Sequence, residues 1–92
     1  MRFTKDPQAL LDYKLDWSQW LPTNDVITAS TFTVAAAGTN PVTIDDQSFT
    51  GTTATVWLAG GVAGSRYRVT NHITTAGGRE DDRSLTITCK EL

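Results

Sequence analysis

Side-chain alternation constrains this chain more than any other feature. Four runs place apolar residues at every second position: Tyr13-Lys14-Leu15-Asp16-Trp17, Ala54-Thr55-Val56-Trp57-Leu58, Tyr67-Arg68-Val69-Thr70-Asn71-His72-Ile73 and Leu85-Thr86-Ile87-Thr88-Cys89. A period of two sends those residues to one face of a strand and leaves the other face to water. That is the pattern of antiparallel sheets covered on one side. At 92 residues the chain has material for one core and not for two. No apolar run is long enough for a membrane helix, and the N-terminus reads as lacking a signal peptide. Cys89 is the sole cysteine, so no internal disulfide staples the fold, which fits cytosolic production.

Between the runs, turn chemistry sets the organisation. Residues 1–8 read as a flexible polar arm, with Pro7 barring a regular interior strand, and residues 9–92 as a single domain. Trp20-Leu21-Pro22 closes the first strand, a short helical turn around Ser18-Gln19-Trp20 is compatible with the residues there, and Thr23-Asn24-Asp25 supplies side chains that bond locally to the backbone. Residues 26–34 are rich in strand formers, but Ile27 and Ala29 share one phase while Phe32 and Val34 share the other. A bulge or a change of sheet near Ser30-Thr31 reconciles them. Residues 35–41 read as a loop, and Val42-Thr43-Ile44 as a short strand running into Asp45-Asp46-Gln47. Glycines in residues 59–64 permit a tight reversal, and Ala76-Gly77-Gly78 joins the last two strands as a hairpin.

The tally is about seven antiparallel strands at regular spacing. It predicts an all-β sandwich of immunoglobulin-like or fibronectin-III-like type. The expected core is Tyr13, Leu15, Trp17, Ile27, Phe32, Val34, Ile44, Val56, Leu58, Tyr67, Val69, Ile73, Leu85, Ile87 and Cys89, with Trp17 or Trp57 filling the middle.

Nothing in the chain is arranged for catalysis. His72, the lone histidine, falls on the wet phase of its strand, and a triad needs a nucleophile and an orienting acid within its reach. Cys89 falls on the inward phase without a Cys or His at metal-ligand spacing. The acidic pairs Asp45-Asp46 and Asp81-Asp82 are the weak candidates for calcium. Neither sits in a loop with ligands at alternating positions around a glycine, so no cofactor or metal is expected. The pairs Gly60-Gly61 and Gly77-Gly78 lack the Lys-Ser/Thr of a phosphate loop. A net charge of −2 and scattered basic residues argue against nucleic acid as a partner.

Three stretches carry a resemblance: Asp12-Tyr13-Lys14-Leu15-Asp16-Trp17-Ser18-Gln19-Trp20-Leu21, then Thr52-Thr53-Ala54-Thr55-Val56-Trp57-Leu58-Ala59-Gly60-Gly61, then the run from Tyr67 through Thr74-Thr75-Ala76-Gly77-Gly78-Arg79-Glu80-Asp81-Asp82-Arg83 to Leu85. Together they resemble a family of small tailed-bacteriophage structural proteins described as fiber–tail adaptors. The resemblance implies an immunoglobulin-like domain present in several copies in a symmetric assembly on the virion tail or connector. Its partners are then other tail or connector proteins and the tail fiber, with neither nucleic acid nor membrane involved, and it assembles in the bacterial host cytoplasm. The family transfers no catalytic residue.

An assembly role directs attention to aromatic and arginine side chains, which contribute disproportionately to protein contacts. Phe3, Trp20, Arg66, Arg68, His72 and Arg79 are therefore the candidate interface residues, joined by whichever of Trp17 and Trp57 is not central. The rival readings are a carbohydrate- or cell-surface-binding module and a capsid decoration protein.

Overall fold

The computed structural model describes residues 2–6, 9–36 and 42–90. The described residues form strands and connecting turns, with no helix among them: β1 (Arg2–Lys5), β2 (Leu11–Asp16), β3 (Ile27–Ala36), β4 (Val42–Phe49), β5 (Thr53–Gly60), β6 (Arg66–Thr75) and β7 (Glu80–Cys89). They build two sheets, β1-β7-β6-β3 and β2-β5-β4. Six strands pair antiparallel with their neighbours, whereas β1 joins the edge of β7 in parallel.

The alternation sorts residues as the pattern demands. Along β6, Tyr67, Val69, Asn71, Ile73 and Thr75 are buried while Arg66, Arg68 and His72 face out. Inward residues of both sheets meet in one core. Every expected core residue is buried except Val34 and Ile44, which are partly buried against it, and the core also takes in Val42 and Ala54.

Trp17 holds the two sheets together. Fully buried at the end of β2, it donates its indole N–H to Asn71 Oδ1 on β6 at 3.0 Å. Asn71 is itself fully buried and donates from Nδ2 to Ser30 Oγ at 2.9 Å and to the Thr31 carbonyl at 3.3 Å, both on β3. The Arg83 guanidinium of β7 lies 4.2 Å from the Trp17 ring centroid and donates to the Asp16 carbonyl at 3.0 Å. Trp20 packs edge-on against Trp17 at 5.3 Å, its backbone held by the Trp17 carbonyl in the expected turn. Trp57 is exposed, so Trp17 is the central ring.

Several expectations need correction. Within the segment 1–8 read as a flexible arm, Arg2–Lys5 is a strand; Met1, Pro7 and Gln8 lie outside the described residues. What holds it is Lys5, fully buried, whose Nζ donates to the carbonyls of Gly60 at 2.8 Å and Asp6 at 2.9 Å. The bulge in β3 falls between Ile27 and Ala29 rather than at Ser30-Thr31, because Ser30 is kept inward by its bond from Asn71. Ala35 and Ala36, read as loop, extend β3, their backbones paired with Arg68 and Tyr67; residues 37–41 of that loop lie outside the described residues. Finally, Asp45 and Asp46 lie within β4 rather than ending it, and the register shift between Ile44 and Asp46 absorbs Asp45. The antiparallel pairing expected of all strands fails only at β1 among the described ones, where the parallel neighbour is β7.

The glycine reversal and the hairpin form as expected. Gly60, Gly61 and Gly64 all adopt positive φ, and a Cβ on Gly61 would collide with Cys89 Sγ.

Removing the central ring with Trp17→Ala is expected to cost about 3–5 kcal/mol in urea unfolding. Asn71→Ala is expected to cost about 1–3 kcal/mol, because the buried indole N–H loses its acceptor. In a Trp17→Phe background the Asn71→Ala penalty shrinks, and an additive double-mutant cycle would disprove the pairing.

Candidate functional site

Outward sheet faces, rather than a cleft, carry the exposed candidate residues, while the Tyr13 hydroxyl is the buried side-chain polar atom left without a partner among the described residues. On the four-stranded sheet, β6 presents Arg66 and Arg68 one pair apart on the same side. They sit opposite Thr88 and Thr86 of β7, with Ala35 of β3 on the far side of Arg68. Both side chains are exposed, and neither forms an ion pair among the described residues.

His72 shares that outward face but is already engaged. Its Nδ1 lies 2.6 Å from Asp82 and its Nε2 lies 3.0 Å from Glu80, so carboxylates flank both ring nitrogens. The hydrogen bonds to Asp82 and Glu80 hold the imidazolium, raising its pKa above the ordinary histidine value of 6.5.

Arg79 is engaged as well. Its guanidinium donates to Asp25 Oδ2 at 3.1 Å, and Asp25 Oδ1 accepts from Gly77 N–H at 2.9 Å and from its neighbour Val26 at 3.0 Å. Burial pushes the Asp25 carboxyl up, but hydrogen bonds from Thr75, Gly77, Val26 and Arg79 outweigh it and leave the pKa below the usual aspartate value. Asp25 thus ties the turn after β2 to the β6–β7 hairpin, beside a shallow depression of about 360 Å³ lined by Pro22, Asn24 and Ala76 among others.

The aromatic candidates also turn inward. Phe3 is partly buried against Tyr13, ring centroids 4.9 Å apart, and Trp20 is partly buried against Trp17. The structure therefore gathers Arg66, Arg68 and His72 on one face and leaves Phe3, Trp20 and Arg79 elsewhere. The third aromatic candidate, Trp57, stands outward on the opposite sheet.

The weak calcium candidates are not assembled. Asp45 and Asp46 belong to β4 of the three-stranded sheet and Asp81 and Asp82 to β7 of the other. Among the described residues no group of three or more His, Cys, Asp or Glu side chains is placed to hold a metal. Cys89 is buried, and burial pushes its thiol pKa up, away from reactivity. Lys5, missed entirely in the sequence, is also inward, its pKa lowered mainly by burial.

A family model described as podophage GP4 fiber-tail adaptor protein gp77 matches residues 5–88 of the 92. The chain belongs to that family. No curated protein matches it closely enough to add a relative. A fiber-tail adaptor is a structural component of the phage tail, and its task is to bind tail and fiber proteins. The match agrees with the resemblance carried by the three sequence stretches.

A proton titration checks the His72 site. Because its folded pKa is raised, the stability it contributes is complete below about pH 6.5 and is lost as pH rises through the folded value. The imidazole resonances should titrate above the ordinary histidine midpoint and fall back toward it in Asp82→Asn. An unchanged midpoint in that variant would contradict the pairing.

Proposed function

We propose that this chain is a non-enzymatic adaptor that seats tail fibers on the tail or connector of a phage, as an immunoglobulin-like module present in several copies in a symmetric assembly. The family match over residues 5–88 carries this reading. Its partners are the tail or connector proteins and the fiber, with neither nucleic acid nor membrane involved, and it joins the virion in the bacterial host cytoplasm.

The immunoglobulin-like assignment is supported by the strand order, a four-stranded β1-β7-β6-β3 sheet over a three-stranded β2-β5-β4 sheet. It is supported again by Tyr67 near the start of β6, whose hydroxyl accepts from the Val62 N–H at 2.9 Å, five residues upstream. That is the arrangement of a tyrosine corner, which pins the crossing between sheets. Val69, two residues on, takes the place where antibody domains carry a cysteine. The sandwich measures about 42 Å by 21 Å by 20 Å, so its two sheet faces point to opposite sides of a narrow body. An adaptor needs two such docking surfaces.

Within this reading the Arg66–Arg68 face is one docking surface. Its arginines form no ion pair among the described residues, and desolvated arginines contribute strongly to protein contacts. His72 contributes at the margin, through the charge it shares with Glu80 and Asp82.

Particles assembled without this chain are expected to show tails lacking fibers in electron micrographs. Wild-type protein supplied in trans should restore the fibers, while Arg66→Glu/Arg68→Glu, folded by circular dichroism, should not. Infectious, fibered particles in its absence would overturn the adaptor role, and full restoration by the reversed variant would remove the arginine face from it.

A further inference from the structure

The opposite sheet face carries a second unsatisfied arrangement. Trp57 projects from the middle of β5 and is 38% exposed, between the fully buried Val56 and Leu58. Its cross-strand partners are both carboxylates: Asp12 on β2 and Asp46 on β4. Strand spacing sets the two partners about 10 Å apart with the indole between them. Neither carboxylate meets a cation among the described residues, and Asp46 Oδ1 accepts only from the backbone N–H of its neighbour Gln47 at 2.8 Å. Lys14 lies one pair along on the same face and makes no ion pair there either.

Three carboxylates elsewhere do meet a cation, whereas Asp45 and Asp81, like Asp12 and Asp46, form no ion pair among the described residues. Asp25 has Arg79, and Glu80 and Asp82 share His72. The Trp17 ring is covered by the Arg83 guanidinium, which also reaches a backbone oxygen. The Trp57 face repeats that chemistry, a π surface beside oxygen acceptors, with the guanidinium missing. An indole face is electron-rich, so two flanking carboxylates make the site favourable for a cation and unfavourable for an anion. A planar guanidinium suits it better than an ammonium, because it stacks on the ring while its edge N–H groups reach carboxylates on either side.

We propose that the Trp57 face is a seat for an arginine side chain of a partner protein, stacked on the indole between Asp12 and Asp46. That the partner is a tail or fiber protein rests on the adaptor reading; the chemistry of the seat rests on the face alone. The two sheets then offer surfaces of different character: Arg66 and Arg68 beside the His72 cluster on one, and two carboxylates around an exposed indole on the other.

The test uses the full chain labelled with nitrogen-15 and three small probes: N-acetylarginine methylamide, its neutral citrulline counterpart, and methyl glucoside. The readout is the Trp57 indole N–H resonance, assigned by its absence in Trp57→Phe. The arginine probe is expected to shift that resonance saturably at millimolar concentration, more strongly at low salt, while the citrulline and glucoside probes leave it in place. Affinity is expected to fall at least about threefold in Asp12→Asn/Asp46→Asn. Silence toward all three probes, equal response to citrulline, a response to the glucoside alone, or undiminished arginine binding in the double variant would each overturn the proposal. The probes involve no tail protein, so such a result would leave the adaptor role standing.

Discussion

One buried hydrogen bond, from the Trp17 indole to Asn71, organises this fold. Two small sheets with aliphatic inner faces have many nearly equivalent ways to slide across one another. A polar group in the core removes that freedom, because leaving it unpaired costs more than any shift in apolar packing gains. Asn71 accepts from β2's end and donates twice to β3, so a single side chain on β6 reads the position of both neighbours. Arg83 closes the far side of the ring and brings β7 into the same arrangement.

From that constraint the outward surface follows. A strand slipped by one residue exchanges its faces, so fixing Asn71 inward fixes Arg66, Arg68 and His72 outward. The hydrogen bonds of the hairpin end then determine which charges remain available. Asp25 consumes Arg79, and Glu80 and Asp82 consume His72; among the charges outside any ion pair in the described residues are Arg66 and Arg68 on one sheet and Asp12 and Asp46 around Trp57 on the other. This sandwich therefore has two sides of different chemistry.

How much of this was legible beforehand depended on the range of the interaction. Alternation in β2, β5, β6 and β7 is local, so those strands and the Ala76-Gly77-Gly78 hairpin could be read directly. β1 could not: four residues with a lysine facing inward look polar, and the carbonyl that receives Lys5 lies 55 residues away at Gly60. Likewise Asp45 and Asp46 look like a turn, since acids are poor strand formers, yet an exposed edge strand tolerates them outside the core. Trp17 and Trp57 sit in equally good alternating runs. Only the partner 54 residues from Trp17 makes one central and the other exposed. The same limit applied to Arg79, whose exposure was readable whereas its pairing with Asp25, 54 residues away, was not.

Hydrogen exchange of the indole protons tests the central claim most directly. If Trp17 is the buried tie between the sheets, its indole proton exchanges only through global unfolding, at the rate of the slowest amides of β6, while that of Trp57 exchanges freely. Comparable exchange at Trp17 and Trp57 would contradict the account, for the two sheets would then be held together by something else.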